Sequence, residues 1–400
     1  MTVTRITQSL QQTQFLTALT ALESNLAQTQ NQISTGLAYT KPSDNPYAAG
    51  AVDGFNQVLS QSQQYSTNAT AAQSGLNTED ATLTQVQDQL RTLRDLALQA
   101  NSGSVSPQNL QALATQATQI QSTLVTLANT QNGNGEYIFA GSASQTVPFA
   151  LTATGATYSG DQTPRQVQIA AGQTLSSGDN GDAVFNQIKT GNGTFAVAAN
   201  PANTGSGLIG ATTVSNGALY NGGTYSIKFN SPTSYQVLDS ANNVVSAGPY
   251  VSGQAIAFNG LSVNLSGAPA TGDSFTVSPS VNQSVFTTVQ NFVNALHSGA
   301  SSTAALAQLG NTIAGTINNL DQALNQTASV QASVGARLNT ITTQLSVAST
   351  QQAQLTQSIS NLQSLDYPAA ITSLDLQNTS LSAAMQAYTL TKGLSLFKYL

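Results

Sequence analysis

Residues 33–50 read ISTGLAYTKPSDNPYAAG and place a turn between two helical patterns. Pro42 has no backbone N–H and disfavours helical geometry at the residue before it. The Ser-Asp-Asn triplet that follows contains residue types that cap a helix N-terminus, and Pro46 suits the first helical position. The stretch therefore predicts that one helix ends and a second begins here, with a structural turn made by Pro42, Ser43, Asp44 and Pro46.

Apolar residues recur at helical spacing on both sides of this turn. The first pattern steps by four and three, with Thr29 in one slot: Phe15, Leu19, Leu22, Leu26 and Ile33. A second helix is predicted from Pro46 to about residue 99, where an Asn-Ser-Gly sequence ends it. Ser106 and Pro107 then supply a cap and a first position for a third helix.

The C-terminal part carries the longest period. From Ile313 to Leu362, apolar residues, with Thr327, Gln331 and Gln352 in three slots, step by four and three without a slip. That is about seven heptads, or roughly 75 Å of helix. No compact core is that long, so the pattern predicts an elongated helical bundle. A break at Pro368 precedes a last helix that carries Leu374, Leu381, Met385 and Tyr388.

The middle of the chain changes to a strand pattern. In GGTYSIKFN, Tyr225, Ile227 and Phe229 alternate on one face. Asn259-Gly260 between two apolar runs is typical of a hairpin. We therefore predict an α+β fold, with a long antiparallel helical bundle or coiled coil formed by the two ends and an inserted β-rich domain. We predict an N-terminal assembly helix and turn at residues 1–45 and a C-terminal assembly helix at 366–400. Between them, the two parts of a helical rod domain, 46–140 and 281–365, enclose a β-rich outer domain at 141–280.

Composition narrows the possible partners. Charged residues make up only 6% of the chain, the net charge is −6, and there is no cysteine. A surface rich in uncharged amides and hydroxyls has little long-range repulsion between copies, which favours a protein that meets other subunits. The chain has no basic cluster and no apolar run of about 18 residues, so we expect neither nucleic acid nor a membrane as partner. The first residues, MTVTRITQSLQQ, show no apolar signal segment, which predicts export without a cleaved signal.

Candidate chemical sites are weak. His297, the single histidine, lies near the predicted end of a helix, where a cation is stabilising. GSGLIG at 205–210 matches the letters of a dinucleotide loop, but neither a strand before it nor a helix after it is predicted. Asp179 and Asp182 are too few carboxylates for calcium. We therefore predict no enzyme, no catalytic residue, no cofactor and no metal site.

The turn and three other stretches resemble a known family. Residues 33–50 are similar to the N-terminal turn of the bacterial flagellin superfamily, in which Ile-Ser-Thr-Gly precedes a Ser-Asp element. The form with Pro on both sides, PSDNP, resembles hook-associated protein 3, the family of hook–filament junction proteins. NGNGEYIFAG at 132–141, GLSVNLSGAPATGDSFTVSPS at 260–280 and the C-terminal LSLFKYL resemble other parts of that family. Residues 142–221 match no motif of the family.

The resemblance implies a structural flagellar subunit that is exported through the flagellar type III channel and is extracellular at the hook–filament junction. Its implied partners are hook-associated protein 1, flagellin, copies of itself in a ring and an export chaperone. The terminal helices would form the inner layer. We expect residues 1–33 and 366–400 to be poorly ordered in the free monomer and to become ordered on assembly. The expected interface residues are Leu10, Phe15, Leu19, Leu22, Leu26, Ile33, Leu381, Met385, Leu390, Leu394, Phe397 and Leu400.

Two alternatives stay open. A flagellin filament subunit shares both ends, but it polymerises alone into long filaments. A secreted surface adhesin with a coiled-coil stalk and a β head would share the low charge. Such an adhesin needs a signal peptide or an anchor, and the sequence shows neither pattern.

Overall fold

Six helices and a strand-rich middle region form the chain in the computed structural model, which describes residues 8–102, 106–299 and 302–393. The helices are α1 Gln8–Thr35, α2 Pro46–Ala100, α3 Pro107–Ala128, α4 Val285–Ser298, α5 Thr303–Gln363 and α6 Tyr367–Gly393. Long terminal helices around a β-rich middle confirm the predicted fold class.

The helix boundaries near the turn and before α3 follow the predicted local signals. The Asp44 carboxylate accepts the backbone N–H of Lys41 at 3.1 Å and holds the turn. Asn45 Oδ1 accepts the N–H of Ala48 at 3.1 Å, so it caps α2 just before Pro46. Ser106 caps α3 by accepting the N–H of Asn109 at 3.2 Å. Each cap satisfies a helix donor that has no partner inside the helix.

The chain forms two compact units. The first contains the residues up to Thr67 together with those from Leu345 onward, and the second runs from Asn68 to Gln344. The helices α2 and α5 each contribute to both units.

In the first unit, α1 and α6 pack antiparallel along two matching stripes, which we call the seam. The rings of Phe15 and Tyr388 lie 6.1 Å apart at one end. Leu37 and Ser364 form an antiparallel bridge at the other end. Between these points both helices step by four and three residues, in opposite directions, as in a heptad seam. The seam residues, all buried or half-buried, are Phe15, Leu19, Leu22, Leu26, Thr29 and Ile33 on α1 and Tyr388, Ala384, Leu381, Gln377, Leu374 and Ala370 on α6.

In the second unit, α2 and α5 share a core that includes the part of the predicted stripe before Leu345. Its fully buried members include Leu76, Leu83, Leu90, Leu93, Ile313, Val334 and Ile341. Polar pairs fix the register of the two helices. Gln331 donates to Asp80 at 3.0 Å, and Arg94 forms an ion pair with Asp321 at 2.6 Å. The predicted period from Ile313 to Leu362 is confirmed as part of one helix, α5.

The β-rich region also belongs to the second unit. Its strands are β1 Phe149–Thr152, β2 Gly155–Tyr158, β3 Gln166–Ala170, β4 Gln173–Ser176, β5 Ile188–Lys189, β6 Phe195–Ala199, β7 Leu208–Val214, β8 Tyr225–Ser231, β9 Ser234–Asp239, β10 Val244–Pro249, β11 Ala255–Phe258, β12 Leu261–Ser266, β13 Ser274–Pro279 and β14 Asn282–Gln283. A five-stranded antiparallel sheet has the order β10-β9-β8-β13-β6, and a three-stranded sheet has the order β11-β12-β7. Phe229, Phe275 and Leu261 lie in the core formed by residues of both sheets.

Two sequence features of this region have clear structural outcomes. Asn259 and Gly260 have φ angles of 43° and 76° in the hairpin between β11 and β12, which confirms that prediction. The GSGLIG sequence runs into β7 rather than into a helix, so it is no dinucleotide loop.

An aromatic cluster joins the first strands to the helices. The Phe149 ring lies 5.4 Å from that of Phe185 and 5.1 Å from that of Phe286 on α4, and the Phe139 ring lies 5.2 Å from that of Phe185. All four rings are fully buried. The cluster fixes residues 139–186, most of which lie in the part of the sequence that matched no motif.

Candidate assembly surface

The predicted interface residues fall into three groups. Those half-buried in the seam are Phe15, Leu19, Leu22, Leu26, Ile33 and Leu381. Three lie on the surface, since Leu10, Met385 and Leu390 are exposed by 49%, 45% and 70%. The remaining Leu394, Phe397 and Leu400 lie outside the described residues. The seam residues thus cover one another within one chain, and only the second group offers open apolar surface.

The outward face of α6 carries a stripe that the sequence reasoning missed. Leu376 and Leu390 are exposed by 69% and 70%, although both are large and apolar. Small residues occupy the steps between them, and we call the set the outer stripe: Leu376, Ser380, Ala383, Ala387 and Leu390. At 100° per residue these positions lie on one flank of α6, about 80–160° around the helix from the centre of the seam. Ala387 is half-buried there, and the other four are exposed. Their seven-residue spacing in the sequence is the signal that could have found them.

Further exposed apolar residues surround the turn. Tyr47, in the first turn of α2, is 83% exposed, and Tyr367 at the start of α6 is 46% exposed. The turn residues Pro42, Ser43, Asp44 and Pro46 are all exposed. Large apolar side chains that are exposed close together are typical of surfaces that bind another protein.

The connection that follows α1 is rigidly paired with the connection that follows α5. Ala38 donates to the carbonyl of Gln363 at 2.7 Å, and Leu365 donates to that of Gly36 at 2.9 Å. Gly36 has a φ of 72°, and a Cβ there would lie 3.0 Å from the Tyr367 hydroxyl. A side chain at position 36 would strain the backbone where the two connections pair. The paired connections therefore fix the position of α1 relative to α6 along the helix axes.

Few charges oppose association through this unit. The charged side chains described in it are Glu23, Lys41, Asp44, Asp53, Asp366 and Asp375. None of them forms an ion pair within the part of the chain that the structure describes. The unit can therefore approach a copy of itself with little desolvation of charge.

In the second unit, amide side chains of α5 attach the β-rich region by its backbone. Asn311 accepts the N–H of Ile209 at 2.7 Å and donates to the carbonyl of Gly207 at 2.9 Å. Asn319 accepts the N–H of Gly191 at 2.8 Å. Such neutral bonds to buried backbone groups give a firm attachment without charge.

Candidate chemical residues have ordinary structural surroundings. His297 Nδ1 lies 3.0 Å from the carbonyl of Val293 in the last turns of α4. Asp179 pairs with Arg337, and Asp182 accepts the amide of Gln187 at 2.8 Å. Across residues 8–102, 106–299 and 302–393 no cluster of three or more His, Asp or Glu has metal-binding geometry. Over the same residues, none of the helices has both the length and the hydropathy of a membrane span.

Three family models match the chain. The bacterial flagellin N-terminal helical region matches residues 6–144, and the C-terminal helical region matches residues 317–400. The D2-like domain of flagellar hook-associated protein 1 matches residues 198–279. The two flagellin models thus cover the helical ends, and the third covers most of the two larger sheets.

Relatives and solved structures agree with these matches. Flagellar hook-associated protein 3 of Escherichia coli (strain K12) is 27% identical over 92% of this chain and 90% of its own length. The protein of the same name from Salmonella typhimurium is 32% identical over 46% of this chain and 57% of its own length. The crystal structure of Xanthomonas campestris FlgL matches with a TM-score of 0.73 and 33% identity, over 76% of this chain and 99% of that chain.

The hook-associated protein 3 of Legionella pneumophila is similar in the same way. Its crystal structure matches with a TM-score of 0.75 and 30% identity, over 78% of this chain and 98% of that chain. Three findings agree on the family of this chain. Its helical ends are of the flagellin type, its β-rich middle is of the hook-associated type, and it covers two solved relatives almost completely. The chain belongs to the flagellar hook-associated protein 3 family, FlgL, within the flagellin superfamily.

Proposed function

We propose that this flagellar hook–filament junction protein is a structural adaptor between hook-associated protein 1 and the flagellin filament. One observation carries the proposal: a single chain combines helical ends of the flagellin type with a middle domain of the hook-associated protein 1 type. A subunit that must meet two different assemblies has reason to share features with each. The proposal places the protein outside the cell, after export through the flagellar channel.

Copies of the chain associate in a ring through the first unit. The outer stripe, together with Leu10, Met385 and Tyr47, supplies the apolar surface for this contact. Burying one large apolar side chain contributes roughly 1.5–3 kcal/mol. Association also costs free energy, because each subunit loses translational and rotational freedom. The burial of several such residues per copy outweighs this cost when many contacts form at once, as they do in a closed ring.

The same surface supports the expectation that α1 and α6 reach full order on assembly. In the free chain these helices have each other as partner in the seam and leave their outer faces in water. Their Gln, Thr and Ser residues add little intrinsic helix stability. An export chaperone would cover these faces before assembly. The turn at residues 40–46 directs the chain from α1 into α2. In the assembly, the chain would pass at this turn from the inner layer of terminal helices into a second layer.

A deletion strain tests the adaptor role. Loss of the gene should leave hooks intact, abolish attached filaments and release flagellin into the medium, and complementation should restore attachment. Filaments that stay attached without the protein would refute the proposal. Purified protein separates the flagellin alternative, because flagellin assembles alone into long filaments and the adaptor should not.

A further inference from the structure

A buried carboxyl group lies in the second unit, far in sequence from the assembly surface. Glu79, on α2, is 1% exposed. One of its oxygens, Oε1, accepts the backbone N–H of Asp179 at 3.2 Å. The other, Oε2, is buried and has no hydrogen-bond partner. A buried carboxylate oxygen without a donor is costly, so this atom needs an explanation.

Asp179 and Arg337 complete a three-residue cluster around this group. Asp179 lies in the loop after β4, and its carboxylate forms an ion pair with the Arg337 guanidinium from α5. Arg337 also donates to the carbonyl of Ser176, the last residue of β4, at 3.4 Å. The loop is therefore bonded to α2 through Glu79 and to α5 through Arg337.

The charges of the cluster do not balance if both acids are ionised. Two carboxyl groups then face one guanidinium, whose side chain is only 11% exposed. Neighbouring charges are engaged elsewhere, since Asp80 accepts the amide of Gln331 at 3.0 Å and Glu136 pairs with Arg165 at 3.2 Å. A proton on Glu79 balances the cluster, and the protonated carboxyl group can donate a hydrogen bond to the Asp179 side chain.

The pKa of Glu79 agrees with this geometry. Burial raises it well above the usual value of 4.5, the negative charge of Asp179 raises it further, and Arg337 opposes both effects. Desolvation is the largest cause, as expected for a carboxyl group enclosed between helices and a loop.

We propose that Glu79, Asp179 and Arg337 form a protonation-dependent clasp that holds the 177–181 loop of the β-rich region between α2 and α5. With a proton on Glu79 the clasp is closed. Loss of the proton leaves two carboxylates beside one guanidinium, and the loop separates from α2. The clasp does not depend on the role of the protein in the flagellum.

The direction of the pH effect follows from linkage. Because the folded chain holds this proton more tightly than the unfolded chain, the stabilisation is complete below the unfolded pKa of about 4.5. It is lost as the pH rises towards the folded pKa. One proton is involved, so the folding equilibrium constant falls by at most about tenfold per pH unit in that window.

Hydrogen exchange of the full chain tests the clasp locally. The Asp179 amide, bonded to Glu79, should lose protection as the pH is raised, after correction for intrinsic exchange. The Gly191 amide is a matched control because it is a loop amide bonded to the neutral Asn319 of α5. Glu79→Gln should keep Asp179 protected at all these pH values. Equal pH responses of the two amides in the unmodified protein would overturn the proposal.

Unfolding measurements against pH give a second test. Relative to the unmodified protein, Glu79→Gln should gain stability by up to about tenfold per pH unit above the usual carboxyl pKa. Asp88→Asn is the control, since Asp88 lies exposed on the same helix in a pair with Arg91. Parallel pH profiles for Glu79→Gln and the unmodified protein would contradict the clasp. So would a Glu79→Gln chain that fails to fold while Asp88→Asn folds, because glutamine matches the shape of the neutral acid.

Discussion

Replacing the two leucines of the outer stripe should break assembly without harming the monomer. The variant is Leu376→Gln with Leu390→Gln, which keeps side chains of similar length and good helix propensity. The leucines are 69% and 70% exposed in the free chain, so their replacement should change the free energy of unfolding by no more than about 0.5 kcal/mol.

The expected loss in assembly follows from the same exposures. If contact with another copy covers the exposed 69% and 70%, each leucine contributes about 1–2 kcal/mol to that contact. The double variant therefore loses about 2–4 kcal/mol per subunit contact. This corresponds to an association constant roughly 30- to 700-fold lower at each contact. A ring multiplies the loss by the number of its contacts.

The assay combines a complemented deletion strain with purified protein. Cells with the double variant should carry hooks, have few attached filaments and release flagellin, while thermal unfolding of the monomer stays unchanged. The matched control is Leu374→Gln with Leu381→Gln, because these residues lie in the seam on the same helix and should weaken the monomer as well. Normal filament attachment by the outer-stripe variant would show that the outer stripe makes no contact needed for assembly. A destabilised monomer would show that the two leucines already have a partner within the chain.

The remaining predictions concern the turn, a constrained glycine and the core. Pro42→Ala with Pro46→Ala removes both helix-breaking residues and should reduce filament attachment more than monomer stability; wild-type motility of that strain would count against it. Gly141→Ala should destabilise the chain by more than about 1 kcal/mol in urea unfolding, because φ is 66° and the new Cβ would collide with Asp161. Gly133→Ala, with open space around it, is its control, and equal effects would contradict the strain. Leu83→Ala, at a fully buried position of α2, should cost about 2–5 kcal/mol by denaturant titration, and a cost under about 1 kcal/mol would contradict its core role.

Local rules explain why much of the fold was predictable. The cap at Asn45 with Pro46, and the Asn259-Gly260 hairpin, depend on a few adjacent residues, so their sequence signals suffice. The α5 period depends on helical geometry alone and remains visible although Thr327 and Gln331 occupy apolar positions.

The candidate site was predicted in part, for a physical reason. Periodicity identified the apolar residues of α1 and α6, but a period does not say which partner covers them. Leu19 and Leu381 share the seam within the chain, whereas Leu376 on a flank of α6 is exposed. The outer stripe has a weak apolar period in the sequence, because small residues fill most of its positions.

Local sequence signals are enough to predict the helices, their breaks and the strand-rich insert, because caps, prolines and periodic apolar residues act over a few neighbours. The tertiary structure was needed to show that Phe139, Phe149, Phe185 and Phe286 form one cluster and that Glu79 is buried. These outcomes depend on groups as far apart in the chain as Glu79 and Arg337. Burial and charge balance are properties of the packed surroundings, and no local pattern contains them.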